Sequence, residues 1–381
     1  MAAGTSTTTP DRLGYRPALD GVRGIAIALV VCLHAFERPL GGFLGVDLFF
    51  VLSGFLITTL LLEERQRNGR VSFRGFYRRR ALRLVPALIV MLTAYTAVAI
   101  AAAASRGELD WRHLRTMTWA VLGGFAYVSD FLQASGATVP FGLSHLWSLA
   151  IEEQFYLLWP VLLLVVLGAR RRLALVVLSS FVAAVAAHRL QLVLGGTPHA
   201  RINFAPDTRF DSIFVGCFFG VLFSRGAVQW ASQRVRAALI TASLATVLVL
   251  VALGGALGHA LPLGFFTLFA VACGLAICEI ASSPDGGLAH ALSIRPLVFL
   301  GRISYSLYLW HVPVLMACGA LTAGGLPRST SLELFGVAAS VGVAYASYYL
   351  VELPFLRRKR QSSPLAQSAP AATAASVPAP G

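Results

Sequence analysis

Charge is scarce in this chain. Only 13% of its 381 residues are Asp, Glu, Lys or Arg, and Lys359 is the single lysine among 31 cations. With 57% of residues hydrophobic, so long a chain cannot hide its apolar surface in one soluble core. The composition therefore predicts an all-α polytopic membrane protein without a sizeable soluble domain. Acids are scarcer still, 17 against 31 bases, a balance that in a soluble protein would point to nucleic acid. Here the arginines cluster between apolar runs, as the positive-inside rule describes, and no nucleic-acid partner is expected. Cysteine is also sparse. Cys32, Cys217, Cys273, Cys278 and Cys318 all lie in apolar runs without ligand-like spacing, which argues against a disulfide framework or a zinc site. No small-residue cleavage pattern follows the polar first eighteen residues, so a removed signal peptide is not expected either.

What the chain has in abundance is apolar runs of membrane-spanning length. They fall at 21–37, 43–63, 82–103, 145–168, 173–194, 209–224, 237–257, 261–281, 303–323 and 331–352, which predicts about ten transmembrane helices in one bundle. Alternating the connections places Arg78–Arg80, Arg170–Arg172 and Arg357–Arg360 on one side, which is then the cytoplasm. The reading is a multi-pass protein of the cytoplasmic (inner) membrane with the bilayer as partner and both termini cytoplasmic. Residues 1–18 are an amino-terminal segment, 19–356 the membrane domain, and 357–381 a basic stop with an Ala/Pro/Ser tail too polar and simple to fold. The stretch 116–133 is apolar enough to span, but counting it would carry Arg170–Arg172 outside. It is read as an interfacial or re-entrant helix.

Polar groups inside the runs carry the chemistry. Arg23 and His34, eleven residues apart on the first span, fall within roughly 20° of one helix face and about 16 Å apart along the axis. Each could be reaching for its own membrane surface, or the two form one polar seam; the shared azimuth favours the seam. Asp47 opens the second span, a short loop away from His34, and either orients the imidazole or caps its own helix. Ser53 and Gly54, further along, read as close-packing residues. Arg80 and Arg83 stand one turn apart beside Arg79, with Arg23 and Arg302 at the same level, an array suited to a phosphorylated ligand or to anionic lipid. Ser148, Glu152 and Tyr156 recur every fourth residue and form one stripe, with Glu153 next to it. Intramembrane carboxylates mark a water-filled cavity or pair with a cation such as Arg209. Arg209 and Asp211 themselves either pair locally or line that cavity. Ser304, Tyr308 and His311 share a face, with His311 read first as a core histidine. His34, His145 and His311 lack compact ligand spacing, so no metal is expected.

In their order along the chain, these blocks resemble the membrane-bound acyltransferase-3 family. The resemblance rests on Arg23 with ten residues before His34, Gly45-Val-Asp47 through Ser53-Gly-Phe55, Arg80-x-x-Arg83-x-x-Pro86, His145-x-Trp-Ser148, Glu152-x-Gln154-Phe-Tyr156, Arg209-x-Asp211, Ser304-Tyr305 to His311, and Glu352-x-Pro354. It implies an enzyme that moves acyl groups, acetyl foremost, onto hydroxyls of surface glycans or glycosylated small molecules such as antibiotics. The implied co-substrate is acyl-CoA, here acetyl-CoA, with no metal. Combined with the topology, the resemblance implies His34 as base or acyl carrier, Arg23 as its essential companion, and Asp47 or Glu152 as orienting carboxylate. Arg79, Arg80, Arg83 and Arg302 would hold the donor. Ser148, Glu153, Tyr156, Arg209, Asp211, His145, Tyr308 and His311 would line the substrate cavity. The extra extracytoplasmic hydrolase-like domain of some members is not expected here. The competing reading is a non-catalytic, proton-coupled exporter using the same charges as a pathway.

Overall fold

In lipid a backbone group has no water to bond, so each segment must satisfy its own N–H and C=O groups. Accordingly, helix follows helix, and no strand occurs among the described residues. The structure is a computed structural model that describes residues 13–168, 171–224, 232–321 and 329–361. Residues 1–12, Arg170 and the tail from 362 onward lie outside the described residues.

The first half of the chain forms α1 (Pro17–Phe36), α2 (Leu44–Asn68), α3 (Phe73–Ser105), α4 (Trp111–Phe125), α5 (Ser129–Ala134), α6 (Leu146–Gly168), α7 (Arg171–Leu194) and α8 (His199–Phe204). The second half forms α9 (Phe210–Phe223), α10 (Gln233–Leu253), α11 (Phe265–Ser282), α12 (Gly287–Leu292), α13 (Arg295–Arg302), α14 (Ser304–Ala317), α15 (Thr330–Ser347) and α16 (Leu353–Gln361). Eight of the described helices are long and apolar enough to cross a membrane. The other two expected spans, 209–224 and 303–323, are the 14-residue helices α9 and α14. Each is about 21 Å long, short of a bilayer core of about 30 Å. Local breaks explain the shortening. A 3₁₀ turn at Pro206–Thr208 precedes α9, and α14 starts after Ile303 and stops before Gly319, whose φ is +68°.

The arginine block is helical where a loop was expected. α3 begins at Phe73, capped by the Ser72 hydroxyl accepting from Gly75 N–H at 3.2 Å, and runs through Pro86 without a break. Arg79, Arg80 and Arg83 thus ride on one rigid rod.

At the bundle centre, α2 crosses α9 with backbones in contact. A Cβ on Gly54 would strike the Ile213 carbonyl, and one on Gly216 would strike the Val51 carbonyl, so glycine sets this crossing. Two buried charge clusters clamp the same region. Arg209 donates to both Asp47 oxygens at 2.9 and 2.8 Å, and Ser212 adds a third bond at 2.9 Å. Arg189 meets Asp211 at 2.9 Å while also donating to the Pro262 and Thr208 carbonyls and to Thr267.

The stretch 116–133 forms neither a span nor a surface loop. α4 ends at Gly123-Gly124-Phe125, the chain reverses at Tyr127, and α5 follows. Gln154 of α6 donates to the Tyr127 carbonyl at 2.9 Å and to the Asp130 carboxylate at 3.0 and 3.1 Å. Gln154 lies eight residues into α6, about 12 Å from its start, so this hairpin tip reaches well into the bundle. Protein side chains, rather than lipid, satisfy its irregular backbone.

Candidate active site

α1 sets the frame. Pro17 at its first turn and His34 in its last suit a helix start and end, and the apolar residues between them pack on α2 and α13. The Nδ1 of His34 lies 2.8 Å from the Val30 carbonyl, which can only accept. Nδ1 therefore carries the proton, and Nε2 presents its lone pair.

Around that ring stand two more histidines. The His34 and His311 ring centroids are 5.0 Å apart, and His311 and His145 are 5.2 Å apart. His311 Nδ1 bonds the Tyr308 carbonyl at 2.8 Å, so its Nε2 is likewise the unprotonated nitrogen. That Nε2 and both ring nitrogens of His145 are buried without a hydrogen-bond partner. Tyr308 donates to the His145 carbonyl at 2.7 Å, which leaves Ser148 as the donor in the 2.5 Å Ser148–Tyr308 bond. The Ser148 stripe of α6 and the Tyr308 face of α14 are thereby joined.

At the arginine-bearing end of the same tract, Arg23 Nε donates to Ser304 at 3.2 Å. Arg80 and Glu153 approach to 3.8 Å, and the Arg80 guanidinium lies 3.4 Å over the Tyr156 ring. Tyr156 donates to Ser53 at 2.7 Å, and Ser53 donates to Glu152 at 2.9 Å. Arg83 lies within electrostatic reach of Arg23, Arg80 and Glu352. Among the described residues it makes no hydrogen bond or ion pair. A π-helical turn at Tyr348–Glu352 turns Glu352 inward to bond Ser306. Three guanidinium groups thus lie within electrostatic reach of one another, an arrangement that favours an anionic ligand.

Several sequence expectations are redistributed. Asp47 is not beside His34; both of its oxygens belong to Arg209 and Ser212. Glu152 faces Ser53 and Tyr156 rather than the imidazole. Arg79 turns outward to Glu64 at 3.4 Å, and Arg302 bonds Tyr15 at 3.0 Å on the exposed surface, so neither joins Arg23 and Arg83. Arg209 and Asp211 pair with other buried residues instead of standing free. His311 is a core residue, yet one with an unspent nitrogen.

Two contributors escaped the sequence. Ser53 links Glu152 to Tyr156, although its small size marked it for packing. Arg189, wholly buried, looks in sequence like the terminal charge of a span. A weak signal existed for it: Arg189 stands five residues inside the end of α7. Among the described residues, no group of three His, Cys, Asp or Glu side chains could hold a metal ion.

Comparison with known proteins adds a separate line. The family described as acyltransferase domain matches residues 16–349. The peptidoglycan O-acetyltransferase OatA of Listeria monocytogenes is 30% identical over 355 residues, covering 89% of this chain and 56% of that protein. The O-acetyltransferase OatA of Staphylococcus aureus is 30% identical, covering 91% and 58%. The putative peptidoglycan O-acetyltransferase YrhL of Bacillus subtilis is 32% identical over 358 residues, covering 89% and 55%. The chain therefore spans little more than half the length of these relatives. No solved structure matches it.

Proposed function

The chain belongs to the membrane-bound acyltransferase-3 family, and on that premise we propose that it moves an acetyl group from acetyl-CoA to a hydroxyl of a cell-envelope glycan. Family membership sets it among enzymes rather than exporters. The relatives' names make a peptidoglycan sugar the first acceptor to test. The arginine distribution supports a cytoplasmic-membrane location with both termini cytoplasmic.

One observation carries the mechanism: the Val30 carbonyl fixes the His34 tautomer and leaves Nε2 available as a base. Donor phosphates bind at Arg83 and Arg80, and the acyl arm runs along the Arg23 face of α1 for about 16 Å towards His34. His34 Nε2 takes the proton of the acceptor hydroxyl as that oxygen attacks the thioester carbonyl. The carbon–sulfur bond breaks. The leaving thiolate then takes the proton from the imidazolium, giving ester and free CoA thiol. His145 and His311 offer their uncommitted nitrogens to the acceptor around that point. Asp47 keeps α2 and α9 in register, a supporting role.

The chain reconstituted in nanodiscs, given labelled acetyl-CoA and a peptidoglycan oligosaccharide, tests this. Ester formation with release of CoA in equal amount is the expected result. Sugar transport without CoA release would overturn the proposal.

A further inference from the structure

Tyr127 occupies a position that helices ordinarily give to glycine. α4 closes with Val128 N–H bonded to the Gly123 carbonyl at 2.8 Å, and the residue inside that reversal has φ +55°. A side chain is strained there, whereas glycine is not. The turns at Gly107, Gly136 and Gly196 adopt the same left-handed conformation with glycine. Among the described residues only Glu37, at the exposed end of α1, shares the exception.

The phenol adds a second penalty. Its hydroxyl is buried without a hydrogen-bond partner, near Glu153, Arg80 and Tyr305. Arg80 Nε and Glu153 Oε1 nearby are also without a hydrogen-bond partner, whereas the other phenols of the polar tract are committed: Tyr156 to Ser53, Tyr305 to the Leu84 carbonyl at 2.8 Å, and Tyr308 to the His145 carbonyl. Of these four phenols, Tyr127 alone holds an unspent donor. Gln154 donates to its backbone carbonyl, which holds the reversal in place. Strain and a missing bond on one residue, both removable by glycine, indicate a ligand that supplies the bond.

We propose that the Tyr127 hydroxyl is part of the donor site, donating a hydrogen bond to an amide carbonyl of the acyl-CoA arm where it passes Arg80. The inference rests on the acetyl-CoA reading above. An amide-bearing arm entering a dry interior needs hydrogen-bond donors along its path, and the re-entrant hairpin delivers this one beside the phosphate-binding arginines.

The test uses the full chain in nanodiscs with CoA and acetyl-CoA as probes. Tyr127→Phe is expected to weaken CoA binding and raise the acetyl-CoA KM about tenfold, the scale of one hydrogen bond, with kcat unchanged and a melting temperature no lower than wild type, because the unpaired hydroxyl is gone. Tyr127→Gly is expected to show the same KM defect, its backbone relaxed but the packing of its ring on the core lost. Unchanged CoA affinity and KM in Tyr127→Phe would overturn the inference alone. Wild-type protein that binds no CoA would overturn the donor reading and this inference with it.

Discussion

Two charge systems lie in the bundle, and they differ in how much of their bonding capacity is spent. Around Asp47, Arg209, Arg189 and Asp211, the ion pairs measure 2.8 and 2.9 Å, with Ser212, Thr267 and two backbone carbonyls adding further bonds, and Arg209 Nε and Asp211 Oδ1 are the atoms left unpartnered among these four described residues. Around Arg23, Arg80 and Arg83, the one ion pair among the described residues is the 3.8 Å approach of Arg80 to Glu153, and the nearby histidines hold unpartnered nitrogens. Leaving a polar group unpaired in an apolar interior is costly. The first system therefore holds its helices together mainly through its own bonds, and the second is the one to which the proposed function assigns a ligand.

This contrast can be broken most severely at the clamp. Asp47→Ala leaves Arg209 uncompensated and should cost about 3–5 kcal/mol of stability, read as loss of folded protein in detergent. Replacing both partners with apolar residues of similar size, Asp47→Leu with Arg209→Met, should recover most of that loss. A double variant no more stable than Asp47→Ala would mean that these charges do more than hold helices.

Arg83→Gln should behave in the opposite way. With no partner to strand, it should fold normally yet lose about 1.5–3 kcal/mol of donor binding, measured as CoA affinity. Destabilisation without a change in CoA affinity would move Arg83 into the clamp class. Ser304→Ala comes next. Losing the bond to Arg23 frees that side chain, and a rise in donor KM of a few-fold, on the order of 1 kcal/mol, should appear in steady-state kinetics.

The smallest effect belongs to Asp207, outside the spans. Partial burial works against its charged form, but two bonds from Arg201 at 2.8 and 2.6 Å, with His188 at 3.0 Å, hold its carboxyl below the usual range. Its contribution is thus complete above the ordinary Asp value near 4 and fades as pH falls through the lower folded value. Because the group is half exposed, the change is small. Asp207→Asn should flatten stability against pH below about 4, as followed by thermal melts.

The helices were legible because apolar length is a local property: α2, α6 and α11 sit within a few residues of the expected spans. The stripe of Ser148, Glu152 and Tyr156 was legible for the same reason, since α-helical spacing places them on one face. The partners across helices were not. Asp47 and Arg209 are 162 positions apart, and nothing near Asp47 distinguishes an arginine partner from a histidine one. His34, His145 and His311 meet only through the packing of α1, α6 and α14, which no spacing within a single segment encodes. The lengths of α9 and α14 escaped because a 3₁₀ turn and a left-handed glycine interrupt stretches whose hydropathy continues.

The central claim is that His34 is the base of an acyl transfer, and the direct measurement is single-turnover transfer by His34→Gln beside wild type in nanodiscs. His34→Gln should transfer acetyl from CoA to the glycan at least about a hundredfold more slowly, with unchanged CoA affinity and melting temperature. Transfer at the wild-type rate by folded His34→Gln would contradict the account.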